Sequence, residues 1–218
     1  MKPILYEDEQ GRVHATFVYE PYELLRDSGL PVIVQGIYTL ENFTGEQGQE
    51  IKVHVVKYLN KLLNAKPGEQ PSLLLTGRPG TGKTHLAAGA FIKALEHEMP
   101  GKYMNYAAGI TKLKQNVIDP ERYEDIIYPL QTCSLLFIDD LFKGEPTKAD
   151  IKHIYNIINE RYANHRPIII TSERGSRELY EIDRAIAGRI MEMAQGFTIS
   201  TNSLPDYRII KARQEPTK

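Results

Sequence analysis

Apolar positions in this chain recur with two different periods, and the alternation between them predicts its elements. Ile51, Val55, Tyr58, Leu62 and Leu63 share one face of a helix expected over Ile51 to Leu63, which Lys66-Pro67-Gly68 ends. Leu73-Leu74-Leu75 is a short continuous apolar run and predicts a strand. The Ala-rich segment from Lys83 to about His97 is apolar on most sides, so a helix there is expected to lie sandwiched against a sheet. Lys102 to Tyr106 predicts a second strand and Gly109 to Asn116 a helix, after which Asp119 is set to cap another helix at Pro120 with Tyr123, Ile126, Ile127 and Leu130 as its stripe. Ser134 to Ile138 is apolar throughout and ends in Asp139-Asp140, the pattern of a strand buried on both faces. Thr147 and Asp150 have capping-box spacing ahead of a helix striped by Ile151, Ile154, Tyr155, Ile158 and Tyr162. Pro167 to Thr171 predicts a buried strand, Ser176 to Met193 a helix broken near Asp183, and Phe197 to Ser200 a last short strand. Strands that alternate with helices in this way specify a mostly parallel, helix-covered α/β sheet of five strands.

Ahead of this pattern, Ile4-Leu5-Tyr6 and Val13 to Val18 are β-prone runs around a polar, Gly-containing turn, which predicts a hairpin. Tyr22 to Asp27 has room for one or two helical turns, punctuated by Ser28-Gly29-Leu30-Pro31. The expected division is a hairpin and short helical extension over 1–35 and a working domain over 36–218.

Composition narrows the setting. The chain has 218 residues, enough for one ordinary domain with a sizeable core. Its net charge of −1 gives no global basic footprint for nucleic acid. The single cysteine, Cys133, forbids an intrachain disulfide and any cysteine-based zinc site, which suits a reducing cytosol. No apolar run is long enough to span a bilayer and the first residues hold no secretory core, so a soluble cytoplasmic protein with no membrane partner is expected.

The chemistry centres on Gly77-Arg78-Pro79-Gly80-Thr81-Gly82-Lys83-Thr84-His85, which follows the Leu73 run and opens the next helix. This is the G-x-x-x-x-G-K-[ST] phosphate loop in the strand-then-helix context it requires. Gly77, Gly80 and Gly82 let the backbone wrap a polyphosphate and point N–H groups at it, Lys83 reaches the β- and γ-phosphates, and the Thr84 hydroxyl ligates Mg²⁺. ATP and Mg²⁺ are therefore the expected ligands, over residues 77–85. Asp139 is placed to join the Mg²⁺ shell, and Asp140 to orient or deprotonate an attacking water. Thr171 and Ser172 end a further strand at the same edge, with Ser172 a candidate for the γ-phosphate or the water. On the helix after Asp183, Arg189 flanks the Ile182, Ile186, Ile190, Met193 face beside Gly188, and is the candidate arginine finger. Arg208 follows the last strand and is a candidate to turn back onto the nucleotide. Lys112, Lys114, Lys143 and Lys148 are candidate contacts to a nucleic-acid backbone, or solvated surface. A small-molecule kinase on the same loop is disfavoured, because the acidic pair follows an intervening strand and no arginine-rich lid is visible. A nucleotide-gated binding module with little turnover stays open, Asp140 being one methylene shorter than Glu.

The strings GRPGTGKTH, SLLFIDD, NERYANHRPIIITSE, AIAGRI and DYR, with SGLP and YTLENF upstream, occur in the order seen in bacterial and phage helicase loaders of the DnaC/DnaI type. The chain resembles that family of AAA+ ATPases, and is similar to the IstB transposition ATPases, over roughly residues 28 to 210. The resemblance implies a three-layer AAA+ sandwich without a full C-terminal lid, and ATP bound at the edge of one subunit. It makes Arg189 the arginine finger, places Ser172 in the sensor I region and makes Arg208 the sensor II arginine. It further implies an open homo-oligomer that engages a DnaB-like replicative hexameric helicase and single-stranded DNA; an IstB-like helper of a transposase is the alternative. Many members read TSN where this chain has Thr171-Ser172-Glu173, and the usual N-terminal helicase-binding domain is expected to be missing or reduced to the hairpin region.

Overall fold

A computed structural model of the chain describes residues 2–7, 10, 13–18, 21–43 and 48–214. Five parallel strands, β3 (Leu73–Thr76), β4 (Gly101–Asn105), β5 (Leu135–Asp139), β6 (Ile168–Ser172) and β7 (Thr198–Ser200), form one sheet in the order β4-β5-β6-β3-β7. Apart from it, β1 (Lys2–Glu7) and β2 (Val13–Val18) make the expected antiparallel hairpin, Lys2 opposite Val18. The helices are α1 (Pro21–Asp27), α2 (Val32–Ile37), α3 (Gln49–Asn64), α4 (Lys83–Glu96), α5 (Tyr106–Gln115), α6 (Pro120–Thr132), α7 (Lys148–Ala163), α8 (Ser176–Ile182), α9 (Arg184–Met193) and α10 (Tyr207–Gln214).

Alternate side chains of each strand leave the sheet in opposite directions, and this separates two cores. Leu73, Leu75, Leu135, Phe137 and Ile169 face α1, α3 and α4, where they meet Leu24, Val55, Tyr58, Leu86 and Phe91. Leu74, Leu136, Ile138, Ile168 and Ile170 face the other way, onto α5, α7 and α9 through Ile110, Ile154, Ile158, Ile186 and Ile190. Both faces are covered, so the central strands are apolar without a break and each fully buried Leu or Ile contributes about 1.5–3 kcal/mol. From Leu24 onward the segment before residue 36 shares the first core, since Leu24 and Leu30 are buried in it and the Tyr103 N–H donates to Ser28 O at 2.7 Å.

Several elements differ from expectation in ways that move functional residues. β4 stops at Asn105, whose side chain accepts the Ala108 N–H, so Tyr106 opens α5 rather than closing the strand. The break expected near Asp183 is present, Asp183 ending α8 and capping α9 through the Ile186 N–H at 2.8 Å, but it puts Ile182, expected on the face beside Arg189, on a separate helix. The buried face of α7 is His153, Ile154, Ile157, Ile158 and Arg161, which leaves Tyr155 and Tyr162 toward its flank. The strand lying between the phosphate-loop strand and the acidic strand in the sheet is β6, not β4. α2, whose Val-Ile-Val start has no helical signature, was not expected, nor was α10. Among the described residues no helix is long and apolar enough to cross a membrane.

Candidate nucleotide site

Three strand ends meet at the carboxyl edge of the sheet, and their hydrogen bonds define the site. The loop between β3 and α4 turns on Gly77, Gly80 and Gly82, with φ of 143°, 78° and 84°. These are left-handed values that side chains rarely adopt. Space forbids a side chain as well: a Cβ on Gly80 would run into the Asp206 carboxylate, and one on Gly82 into the Phe43 ring. The Gly77 N–H donates to Ser172 O at 3.2 Å, tying the loop to β6.

Lys83, in the first turn of α4, is buried, and its Nζ donates to Gly77 O at 2.7 Å and Arg78 O at 2.9 Å. Burial lowers its pKa; the nearby charges of Glu173 and Asp140 act the other way. Next to it, Thr84 Oγ1 donates to Asp139 Oδ1 at 2.9 Å, and Thr171 Oγ1 donates to the same oxygen at 2.6 Å. Tyr103 reaches Asp139 Oδ2 at 3.3 Å. Asp139 is nearly enclosed, and burial lifts its pKa while the Thr171 and Thr84 hydroxyls oppose the rise. Thr171 accepts in turn from the Asp140 N–H at 2.8 Å. One threonine thus fixes both acidic residues.

Asp140 itself has φ 59° and Phe142 φ 55°, conformations that cost about 1–3 kcal/mol each in a non-glycine residue. The Asp140 carboxylate pairs with Lys143 Nζ at 2.7 Å. Ser172 is fully buried and its hydroxyl donates to Leu141 O at 2.8 Å, so it is not directed at the phosphate loop as expected; it secures the loop after β5.

The segment after β7 supplies residues that pattern reading missed. The Thr201 N–H donates to Thr76 O at 2.8 Å and its hydroxyl lies 2.6 Å from that of Thr81. Asn202 Oδ1 accepts the Arg78 N–H at 2.9 Å, the Arg78 guanidinium donates to Asn202 O at 3.1 Å, and the Tyr207 N–H donates to Gly80 O at 3.0 Å. Arg208 is exposed and its N–H donates to Asp206 Oδ1 at 2.9 Å. Pro79 is exposed at the crest of the loop. His85 stacks on Tyr38 at 4.9 Å, meets Phe43 edge-on at 5.3 Å and bonds Thr39 O through Nε2 at 2.8 Å. Burial lowers its pKa, which favours the neutral ring. Phe43 also meets Tyr207, whose hydroxyl is buried without a hydrogen-bond partner among the described residues.

Arg189 lies away from this edge, its guanidinium over the rings of Tyr155 at 5.3 Å and Tyr162 at 5.4 Å, with Nη1 donating to Ala185 O at 3.0 Å. Of the lysines put forward for nucleic acid, Lys143 belongs to the site and Lys114 pairs with Asp150 at 2.9 Å; Lys112 and Lys148 are exposed.

A family model described as IstB-like ATP binding protein matches residues 23–203, which include every strand of the main sheet and the whole loop. The chain belongs to the IstB-like ATP-binding family. It is similar to YqaM, an uncharacterized protein of Bacillus subtilis (strain 168), at 33% identity over 150 residues, 66% of this chain and 47% of that protein. It is likewise similar to the phage-like element PBSX protein XkdC of the same strain, at 33% over 149 residues, 66% of this chain and 55% of that one. The chain therefore spans about half the length of the curated relatives it matches. Among solved structures, the DnaC helicase loader superposes with a TM-score of 0.65 at 21% identity, over 76% of this chain and 97% of that one, a likeness of fold.

The family is ATP-binding, and the residues here fit a triphosphate with a metal ion. The glycines leave the loop backbone open, with Lys83 and the start of α4 behind it. Thr84 Oγ1 and Asp139 Oδ1 lie 2.9 Å apart. That is close to the ~2.9 Å edge of an octahedron with roughly 2.0–2.1 Å metal–oxygen bonds, the geometry Mg²⁺ demands. Among the described residues no group of three or more His, Cys, Asp or Glu could hold a metal ion.

Proposed function

We propose that the chain is an ATP-switched helicase loader: an AAA+ ATPase whose nucleotide cycle helps deliver a DnaB-like replicative hexameric helicase to single-stranded DNA. The observation that carries the reading is the convergence of Thr84 and Thr171, from two separate elements, on one oxygen of Asp139, beside Lys83. That node joins a loop able to cradle phosphates to a carboxylate able to hold their counter-ion. On this reading Lys83 exchanges the Gly77 and Arg78 carbonyls for phosphate oxygens, and Thr84 and Asp139 hold Mg²⁺, which when bound supplies neutralising charge. Asp140 orients the attacking water and takes its proton as the terminal P–O bond breaks, giving ADP and phosphate. The rings of Tyr38, Phe43, His85 and Tyr207 next to Gly82 suit a heteroaromatic base.

Arg189 acts in trans on this reading, as the arginine finger of a neighbouring copy in a homo-oligomer. Its support is chemical: the guanidinium lies on two aromatic faces and spends Nη1 on the Ala185 carbonyl, with no ion pair among the described residues. On the same reading Arg208, exposed at the start of α10, turns onto the nucleotide from the chain's own side. The loader reading draws on the DnaC-like fold and on the ordered strings of the sequence. A transposase helper is the second reading, favoured by the family match itself.

The deciding experiment mixes Lys83→Ala and Arg189→Ala proteins. Each alone is expected to lose hydrolysis by about 10³-fold or more, and the mixture to regain part of it at hybrid interfaces. No recovery would remove Arg189 from a shared site. Asp140→Asn is expected to bind nucleotide and fail to turn it over. Capture of a hexameric helicase rather than a transposase, dependent on ATP, separates the two readings of the partner.

A further inference from the structure

The loop after β5 is built more firmly than a connection requires. Leu141 and Phe142 are buried in the second core, while Asp140 and Phe142 hold left-handed backbone that persists only where the surroundings fix it. The fixing groups come from the end of β6 and the residues that follow, and from one turn bond within the loop. The Leu141 N–H donates to Thr171 O at 2.8 Å, and Ser172 Oγ donates to Leu141 O. Arg174 donates through Nε to Phe142 O at 3.1 Å and through Nη2 to Gly144 O at 2.5 Å, and pairs with Glu145 at 2.9 Å. A turn bond from the Lys143 N–H to Asp140 O closes the loop at 3.0 Å.

What this framework presents is one ammonium between two carboxylates. Lys143 Nζ is 2.7 Å from Asp140 Oδ2 and 3.3 Å from Glu173 Oε1, with the side chain 49% exposed. The pairing raises the Lys143 pKa, led by its hydrogen bond to Asp140. Asp140 directly follows Asp139, whose carboxylate accepts from Thr84, the neighbour of Lys83, at 2.9 Å, so the cluster sits at the phosphate-loop edge. Three carboxylates at this edge repel a triphosphate, and Lys143 is the cation that offsets two of them.

We propose that Lys143 is a γ-phosphate sensor acting in cis: it holds Asp140 and Glu173 here, and transfers to the terminal phosphate of ATP, which releases Asp140 to the attacking water. A terminal phosphate carries more charge than a carboxylate, and an ammonium on a flexible four-carbon stem changes partner without moving the backbone. ADP lacks that phosphate and leaves the Lys143–Asp140 pair in place. From the sequence Lys143 is a candidate contact to a nucleic-acid backbone or solvated surface; the fold places it against Asp140 and Glu173. The proposal rests on ATP binding at Gly77 to Thr84.

The test is calorimetric titration of the full chain with Mg-AMPPCP and with Mg-ADP, comparing wild type, Lys143→Ala, Lys143→Arg and Lys83→Ala. Lys143→Ala is expected to weaken AMPPCP by about 10- to 100-fold, the range for one hydrogen bond to a charged group, and to leave ADP within about twofold. Lys143→Arg is expected to keep most of the preference for AMPPCP. Equal weakening of both nucleotides would assign Lys143 a purely structural part, and no change in either would make it a surface ion pair; both results overturn the proposal. Wild type binding neither nucleotide, or Lys83→Ala binding both unchanged, would instead remove the nucleotide site on which the proposal rests.

Discussion

Replacing Thr171 by Val removes one hydroxyl and keeps the side chain's shape, which isolates the bond network at the acidic strand end. Thr171 is fully buried, donates to Asp139 Oδ1 at 2.6 Å and accepts from the Asp140 N–H at 2.8 Å. A buried donor left unpaired costs ~1–3 kcal/mol and a hydrogen bond to a charged acceptor is worth ~1.5–3 kcal/mol. One hydroxyl serves both bonds, and Asp140 is only partly buried, so the lower part of each range applies and the sum is about 3 kcal/mol. At roughly 2–4 °C per kcal/mol for a chain of this size, the melting temperature should fall by about 6–12 °C. Thermal unfolding followed by far-ultraviolet circular dichroism measures it, with Thr171→Ser, which retains the hydroxyl, as the control. A loss under ~1 kcal/mol for Val, or an equal loss for Ser, would refute the argument that this hydroxyl fixes both carboxylates.

Two further outcomes follow from the same structure. Burial raises the Asp139 pKa above that of an ordinary aspartate. The cost of its charge therefore accrues as pH rises from the ordinary aspartate range through that raised value, and is complete above it. Asp139→Asn should be no less stable than wild type in urea at pH 7, yet lose the Mg²⁺ enhancement of nucleotide affinity; wild type should lose that enhancement on acidification sooner than an exposed carboxylate would titrate. Arg161 is fully buried and its guanidinium donates to the carbonyls of Leu130, Cys133, Ser134 and Pro167. Lysine cannot reproduce that planar fork, so Arg161→Lys should lower the urea-derived stability by about 2–4 kcal/mol; near-wild-type stability would show the carbonyls to be satisfied in another way.

Much of this was readable from local pattern. The run Leu135 to Asp139 is apolar because both faces of β5 are covered, the Thr147 and Asp150 capping box forms as spaced, and the phosphate loop carries its own signature. Thr84, Asp139 and Thr171 could be placed at one edge because a parallel sheet gathers the carboxyl ends of its strands. The rest depended on contacts with no period. Asn202 and Arg78 are 124 residues apart, and nothing local says that the chain after β7 will wrap the loop. Ser172 and Thr171 alternate on β6, so their hydroxyls leave it in different directions: one meets Asp139 and the other Leu141 O. That choice is set by register, which pattern alone does not fix. Tyr103 looked like an ordinary strand residue, and only the sheet order, with β4 beside β5, makes it a neighbour of Asp139; Lys143 meets Asp140 through the local turn between them.

The most direct measurement of the account is a crystal structure of the chain with Mg²⁺ and AMPPCP. It should place the triphosphate along Gly77 to Thr84, with Lys83 Nζ moved from the Gly77 and Arg78 carbonyls onto phosphate oxygens and with Thr84 and Asp139 on the metal side. A nucleotide bound elsewhere, or one at the loop with Lys83 still on those carbonyls and Asp139 facing away from the metal, would contradict it.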